Sequence, residues 1–404
     1  MHSGTVGNDA PRFVRRVLHY LLLAAILLGT PLVFAIAGGR QDLIDGLLVF
    51  PPRTEDWGAD PSKLWNERCP FSLAVFCGVL VFGMLTCGPF VRRLLRGPAR
   101  RGGASGGASG GKQARRVPRF PFPWFGRAGL LLVTGAWILA WNRFAWFAPF
   151  QPHTYLFLWG GYIFVVNALD VRFSGSCPLV ARPCAYAALF PASAAFWWFF
   201  EYLNRYVWNW YYLGVGHMGA GEYFLFATCS FSTVLPAVVA TASLLENFAP
   251  FTDARLCGMV RWRARSRLSL AAMASGALAG LGGIVVYPQF AYPLLWISPL
   301  LVFLVIRIVS GGRTVLDVLE TGDWRLPVRF AVAALLCGFF WEMWNWHSFA
   351  KWVYAVPWVH GFQVFEMPLP GFLGYLPFGI ECAAVAAWLN PSGFRCSPRT
   401  GPDR

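Results

Sequence analysis

The stretch VLHYLLLAAILLGTPLVFAIAG, residues 17–38, decides the fold class. It carries no Asp, Glu, Lys or Arg, and a helix of about 20 residues spans the hydrocarbon core of a bilayer. Nine further apolar runs meet or approach that length: 71–91, 129–148, 154–170, 184–203, 221–245, 268–287, 291–309, 327–349 and 362–389. A backbone in lipid must satisfy its own hydrogen bonds, so helices are the only sensible way across for runs of this kind. The expected class is all-α, a polytopic membrane helix bundle with about ten transmembrane helices.

Arg12, Arg15 and Arg16 precede the first run, and Ala35-Ile36-Ala37 resembles a signal-peptidase site. The apolar stretch is nevertheless longer than the roughly 7–15 residues of a signal peptide. An uncleaved first helix is expected.

Composition carries the same message. Apolar residues make up 56% of the 404 and charged residues 13%, where a soluble chain holds about a quarter charged. The 20 Trp exceed what a soluble core needs, and Trp and Tyr favour the headgroup level. The net charge of +15 does not mark nucleic-acid binding, because the basic residues crowd the segments between apolar runs. Segment 91–119 holds nine of them and no acid; Arg255, Arg261, Arg263, Arg265 and Arg267 crowd another. With both termini inside, these loops and Arg172, Arg182, Arg313 and Arg325 all fall in the cytoplasm, as the positive-inside rule asks. A multi-pass protein of the cell inner (plasma) membrane is expected, with membrane lipid as its partner and no nucleic acid. The ten Cys are scattered, most of them inside apolar runs, and no disulfide framework follows from them.

Two short segments resemble each other: FFEYLN at 199–204 and FWEMWN at 340–345, offset by 141 residues. At the same offset Phe224, Phe231, Leu235 and Pro236 meet Phe365, Phe372, Leu376 and Pro377. Glu and Asn are rare inside membranes, so their recurrence with Pro suggests a duplication. The expected organisation is two N-terminal helices (1–96), a basic Gly/Ser-rich cytoplasmic linker (97–118), four-helix repeat one (119–250), four-helix repeat two (251–391) and a cytoplasmic tail (392–404). Four helices per copy make the last eight two parallel repeats.

Intramembrane carboxylates are the candidate site. A charge at mid-bilayer costs about 2.5–3.5 kcal/mol on insertion scales, so such residues usually face a partner or a cavity. Glu201, Glu222, Glu342, Glu366 and Glu381 lie in apolar runs. Arg205 follows Glu201 by one turn, a natural ion pair, whereas Glu342 has Trp346 at that spacing and sits among Phe339, Phe340, Trp341 and Trp344. Glu342 is therefore a candidate general acid or base, with Asn345 on its face to orient it and Glu366 as a second carboxylate. The competing reading is that the Glu–Asn pairs lock the two repeats together by interhelical hydrogen bonds. Glu201, Asn204, Trp341, Trp344, Pro368, Gly371 and Glu381 are candidate substrate contacts. The segment FEMPLPGFLGYLPFGIE, 365–381, cannot run as one unbroken helix and is expected to wall a cavity.

The aromatic segments YVWNWYY (206–212) and WNWHSFAKWVY (344–354) read first as interfacial anchors. Beside a carboxylate they would also make an aromatic cage for a cation. His153, His217, His347 and His360 share the outer side, yet no H-x-x-H or H-E-x-x-H spacing is present, and no metal or cofactor is expected. The sequence thus points to an enzyme acting on a lipid or isoprenoid near the periplasmic leaflet. The alternatives are a transporter or lipid flippase built from parallel repeats, and a non-catalytic membrane scaffold.

Overall fold

The computed structural model describes residues 10–52, 68–96 and 120–389. The expected linker and cytoplasmic tail lie outside them. Of the described residues 74% are helical. The long helices are α1 (Ala10–Ala37), α2 (Leu73–Leu95), α3 (Trp124–Trp141), α4 (Thr154–Ser174), α5 (Leu189–Val207), α6 (Ala220–Phe231), α7 (Val234–Leu245), α8 (Arg267–Val286), α9 (Ser298–Val309), α10 (Arg325–Trp346) and α11 (Tyr375–Leu389).

Among the described residues, eight helical segments are long and apolar enough to cross a membrane. A ninth joins them if Pro288–Trp296 and α9, bent by 48°, are taken as one span. Helix α5 is not one of these. Glu201, Asn204 and Arg205 sit in its second half and dilute its apolar character. The run expected at 221–245 is two helices, α6 and α7, broken at Ser232–Thr233.

Among the described residues four short strands accompany the helices of the bundle. Strand β1 (Trp210–Leu213) pairs antiparallel with β2 (Lys351–Tyr354), in the register Trp210↔Tyr354, Tyr211↔Val353, Tyr212↔Trp352 and Leu213↔Lys351. A smaller ribbon joins β3 (Gln363–Val364) to β4 (Met367–Pro368), so the run expected from 362 does not begin as a helix. It passes from β4 through a 3-10 segment, Leu369–Gly374, into α11. The prolines and glycines of 365–381 break the helix as expected, because Pro lacks the amide that a helix interior needs.

Close packing rests on small residues. A Cβ at Gly129 would stand 2.7 Å from Phe164 Cβ, and one at Gly161 would stand 2.7 Å from Val133 N. Helices α3 and α4 can therefore meet backbone to backbone, the usual device for binding helices where lipid supplies no hydrophobic drive.

The basic loops gather at one end of the bundle. Arg93 donates to the carbonyls of Arg255 and Cys257 at 3.1 and 3.0 Å. Arg255 pairs with Asp253, Arg265 with Asp317 and Arg325 with Asp323.

Candidate functional site

The site starts from the two resembling segments. FFEYLN ends α5 and is followed by β1; FWEMWN ends α10 and is followed by β2. In each, the Asn pins the following strand. Asn204 donates to the Trp210 carbonyl at 2.7 Å, and its Oδ1 accepts from the Asn209 amide at 2.9 Å. Asn345 donates to the Trp352 carbonyl at 2.6 Å and accepts from the Trp352 amide at 2.9 Å. Asn345 thus reaches Glu342 only by way of the strand.

Strand residues alternate in facing, so Trp210 and Tyr212 share one face with Trp352 and Tyr354 across the ribbon. All four line a cavity, and three of them turn their polar atoms back onto the carboxyls. Glu201 Oε1 accepts from Trp210 Nε1 at 2.9 Å, Tyr212 OH at 2.6 Å and Trp197 Nε1 at 3.2 Å. Glu342 Oε1 accepts from Tyr354 OH at 2.7 Å and Tyr375 OH at 2.8 Å. Trp352 Nε1 donates to Tyr354 OH at 2.9 Å, extending the second set.

The two sets differ in one substitution of parts. Trp197 precedes Glu201 by four residues. The residue four before Glu342 is Gly338, and a Cβ there would lie 2.5 Å from the Tyr375 ring. The absent side chain leaves room for Tyr375, which donates where an indole would otherwise have stood. A second difference is that Glu342 Oε2 is buried with no hydrogen-bond partner among the described residues.

The expected Glu201–Arg205 ion pair does not form. Arg205 turns instead to the Val49 carbonyl at 2.9 Å and lies over the Phe50 ring at 5.3 Å. Both carboxyls therefore accept hydrogen bonds from neutral donors, and the contrast expected between them is reduced to the charge of Arg205, which acts on Glu201 without touching it.

The cavity has a volume of about 600 Å³, within the range of roughly 300–1,000 Å³ typical of small-molecule sites. Fourteen of its 37 lining residues are aromatic, so rings make up a large share of its wall. Trp341, Pro368 and Gly371 line it, as do Tyr375 and Lys351. Glu366 binds Lys351 Nζ at 2.5 Å, so it is joined to the cavity through that lysine. The remaining expected residues are elsewhere. Trp344 is buried against Trp159 and Phe340, with ring centroids at 5.3 Å from each. Glu381 is fully buried in α11, and neither carboxyl oxygen has a hydrogen-bond partner among the described residues.

The segment between β2 and β4 is strained. Trp358, Phe362 and Phe365 hold φ values of 67°, 52° and 59°. For non-glycine residues this left-handed region costs on the order of 1–3 kcal/mol each. His153 packs edge-on to Phe226, His347 to Trp141 and His360 to Phe71. Among the described residues no three His, Cys, Asp or Glu stand close enough to share a metal.

Sequence reasoning missed Tyr212, Tyr354, Tyr375 and Lys351. The first two lay inside the segments read as membrane-interface anchors. The signal that would have found them is the recurrence of Trp-x-Tyr shortly after each Asn, six residues on in the first half and seven in the second. No protein-family model, curated protein or solved structure matches this chain.

Proposed function

We propose that the protein is a membrane-embedded enzyme that binds a lipid or isoprenoid in the aromatic cavity and moves a proton there by way of Glu342. The observation that carries this reading is the hydrogen bonding of Glu342 to Tyr354 and Tyr375, two phenols that also line the cavity. A proton can pass between the carboxyl and a bound molecule through either hydroxyl, while the carboxyl stays out of contact with the cavity. The surrounding ring faces stabilise positive charge that develops on an apolar substrate. Glu201, with three donors on one oxygen, holds the ribbon; Asn204 and Asn345 position the strands.

Duplication fits the same geometry. Helices α7 and α11 begin 141 residues apart, the offset of the two Glu–Asn segments, and each has Pro at its third position. In this reading α5 is an additional span and the last eight spans are two parallel four-helix copies joined at the β1–β2 ribbon. The gathered basic loops support a cytoplasmic location for that end and for both termini, in the inner membrane.

The test is a comparison of whole-lipid extracts by mass spectrometry from hosts carrying wild type, Glu342→Gln, Tyr375→Phe or no gene. A lipid species that changes with wild type alone supports the reading and identifies the substrate class. Lipids identical in all four hosts would overturn it.

A second reading has its own support. A cavity between two similar halves, walled by a broken helix, is also the layout of transporters. Uptake of a lipid into vesicles that was abolished by Glu342→Gln, with no lipid changed chemically, would favour it.

A further inference from the structure

The cavity wall speaks to the charge of what it holds. We propose that its ligand is an uncharged lipid, one with a hydroxyl or carbonyl and no phosphate or carboxylate, taken sideways from the bilayer past α2. This rests on the reading above, in which the cavity is the binding site.

The first argument is the fate of the donors. Trp197, Trp210, Tyr212, Tyr354 and Tyr375 all line the cavity, and all five spend their N–H or O–H on Glu201 or Glu342 behind the wall. Among the described residues Lys351 is the only charged one in the lining, and Glu366 holds its Nζ at 2.5 Å. An anionic headgroup would find no unspent cation and would lie in front of two carboxyls. A buried charge without a partner is among the costliest arrangements in a protein interior.

The second argument is what remains unspent. Tyr155, Tyr223 and Tyr292 also line the cavity, and among the described residues none of their hydroxyls is given to Glu201 or Glu342. A phenol both gives and accepts a hydrogen bond, which suits a small neutral group such as an alcohol or a carbonyl.

The third argument is access. Val79, Phe82, Gly83, Thr86 and Cys87 of α2 face the cavity, a spacing of three and four residues that marks one helix face. Val81, Met84 and Leu85 on its other sides are exposed. One helix therefore stands between the cavity and the lipid. It is tied at its ends, where Ser72 N donates to the Trp358 carbonyl at 2.8 Å and Arg93 binds the 255–257 loop.

The experiment uses the full chain in nanodiscs and measures saturable binding of tritiated geranylgeraniol, with unlabelled geranylgeraniol and its monophosphate as competitors. The alcohol is expected to bind saturably, and the monophosphate to compete roughly tenfold more weakly. Ala227→Phe, which fills the cavity, is expected to abolish binding without changing the melting temperature; Ser230→Phe serves if that variant does not fold. Glu366→Gln, which frees Lys351, should narrow the gap between alcohol and monophosphate. A wild type that takes the monophosphate as well as the alcohol overturns the proposal and leaves the cavity as a lipid site. Absence of saturable binding by either, or binding that survives both filled cavities, overturns the cavity as the site and the proposal with it.

Discussion

Trp210 stands opposite Tyr354 in the β1–β2 ribbon, and the two give their polar hydrogens to different buried glutamates. Trp210 Nε1 reaches Glu201 at 2.9 Å and Tyr354 OH reaches Glu342 at 2.7 Å. Tyr212 and Trp352 form the neighbouring pair with the roles exchanged: Tyr212 serves Glu201, while Trp352 serves Tyr354. One short ribbon therefore supplies donors to both carboxyls. A disturbance of either strand reaches both.

That coupling makes the two asparagines a test. Asn345→Leu removes both bonds to Trp352 and leaves a strand amide and carbonyl without their partner. The expected loss is roughly 1–3 kcal/mol, read as a lower melting temperature in detergent. Asn204→Leu should cost a similar amount. The double variant should lose less than the sum, because both side chains hold one ribbon. Strict additivity would show that the strands are held independently.

Gly338 offers a sharper probe of the site. A Cβ there falls 2.5 Å from Tyr375 Cδ2 and Cε2, so Gly338→Ala must shift the ring and break its bond to Glu342. Proton transfer by a positioned group contributes about 10²–10⁴-fold, and Gly338→Ala is expected to match Tyr375→Phe in the activity it loses. Gly78→Ala is the control, since no atom lies within 4 Å of its new methyl. Equal activity in Gly338→Ala and wild type would remove Tyr375 from the proton path.

Some of this was legible in the chain and some was not, for physical reasons. The membrane spans were legible because lipid demands long apolar helices, as in 17–38 and 71–91, close to α1 and α2. The broken helix at 365–381 followed from Pro368, Pro370 and Pro377. Glu342, Asn345 and Trp341 stood out because polar and aromatic groups at depth need a reason. The ribbon did not, since four-residue strands rich in Trp and Tyr look the same as interface anchors. Arg205 was misassigned because helical spacing permits an ion pair with Glu201 but does not require one when the Val49 carbonyl and the Phe50 ring compete. Tyr375 was out of reach, as its bond to Glu342 depends on how α11 crosses α10.

Lys351 and Glu366 lead to a prediction about stability. The pair is partly buried, with side chains 26% and 18% exposed. Lys351→Met leaves Glu366 half-buried with no cation, a loss expected at about 1–3 kcal/mol. The double variant Lys351→Met with Glu366→Gln should recover most of it, because removing both charges ends the desolvation penalty. Melting temperatures of the two single variants and the double variant check this. A double variant as unstable as Lys351→Met would show that the lysine acts by packing alone.

The basic end of the bundle carries a pH dependence whose sign follows from its ion pairs. The hydrogen bond from Arg255 holds the Asp253 carboxyl below its ordinary range. Burial pushes Asp317 and Asp323 up, but hydrogen bonds from Arg265 and Thr314 on the one, and from Arg325 on the other, outweigh it and leave both lowered. A carboxyl that is more acidic when folded adds stability above its unfolded value, near pH 3.9, and that stability is lost as pH falls through the folded value. The melting temperature in detergent is therefore expected to hold steady near neutrality and to fall below about pH 4. Asp323→Asn should have a lower melting temperature near neutral pH and a shallower decline on acidification, since its contribution is already gone. An acid decline as steep in Asp323→Asn as in wild type would show that the Arg325 pair contributes nothing to holding the 252–257 and 317–325 loops together.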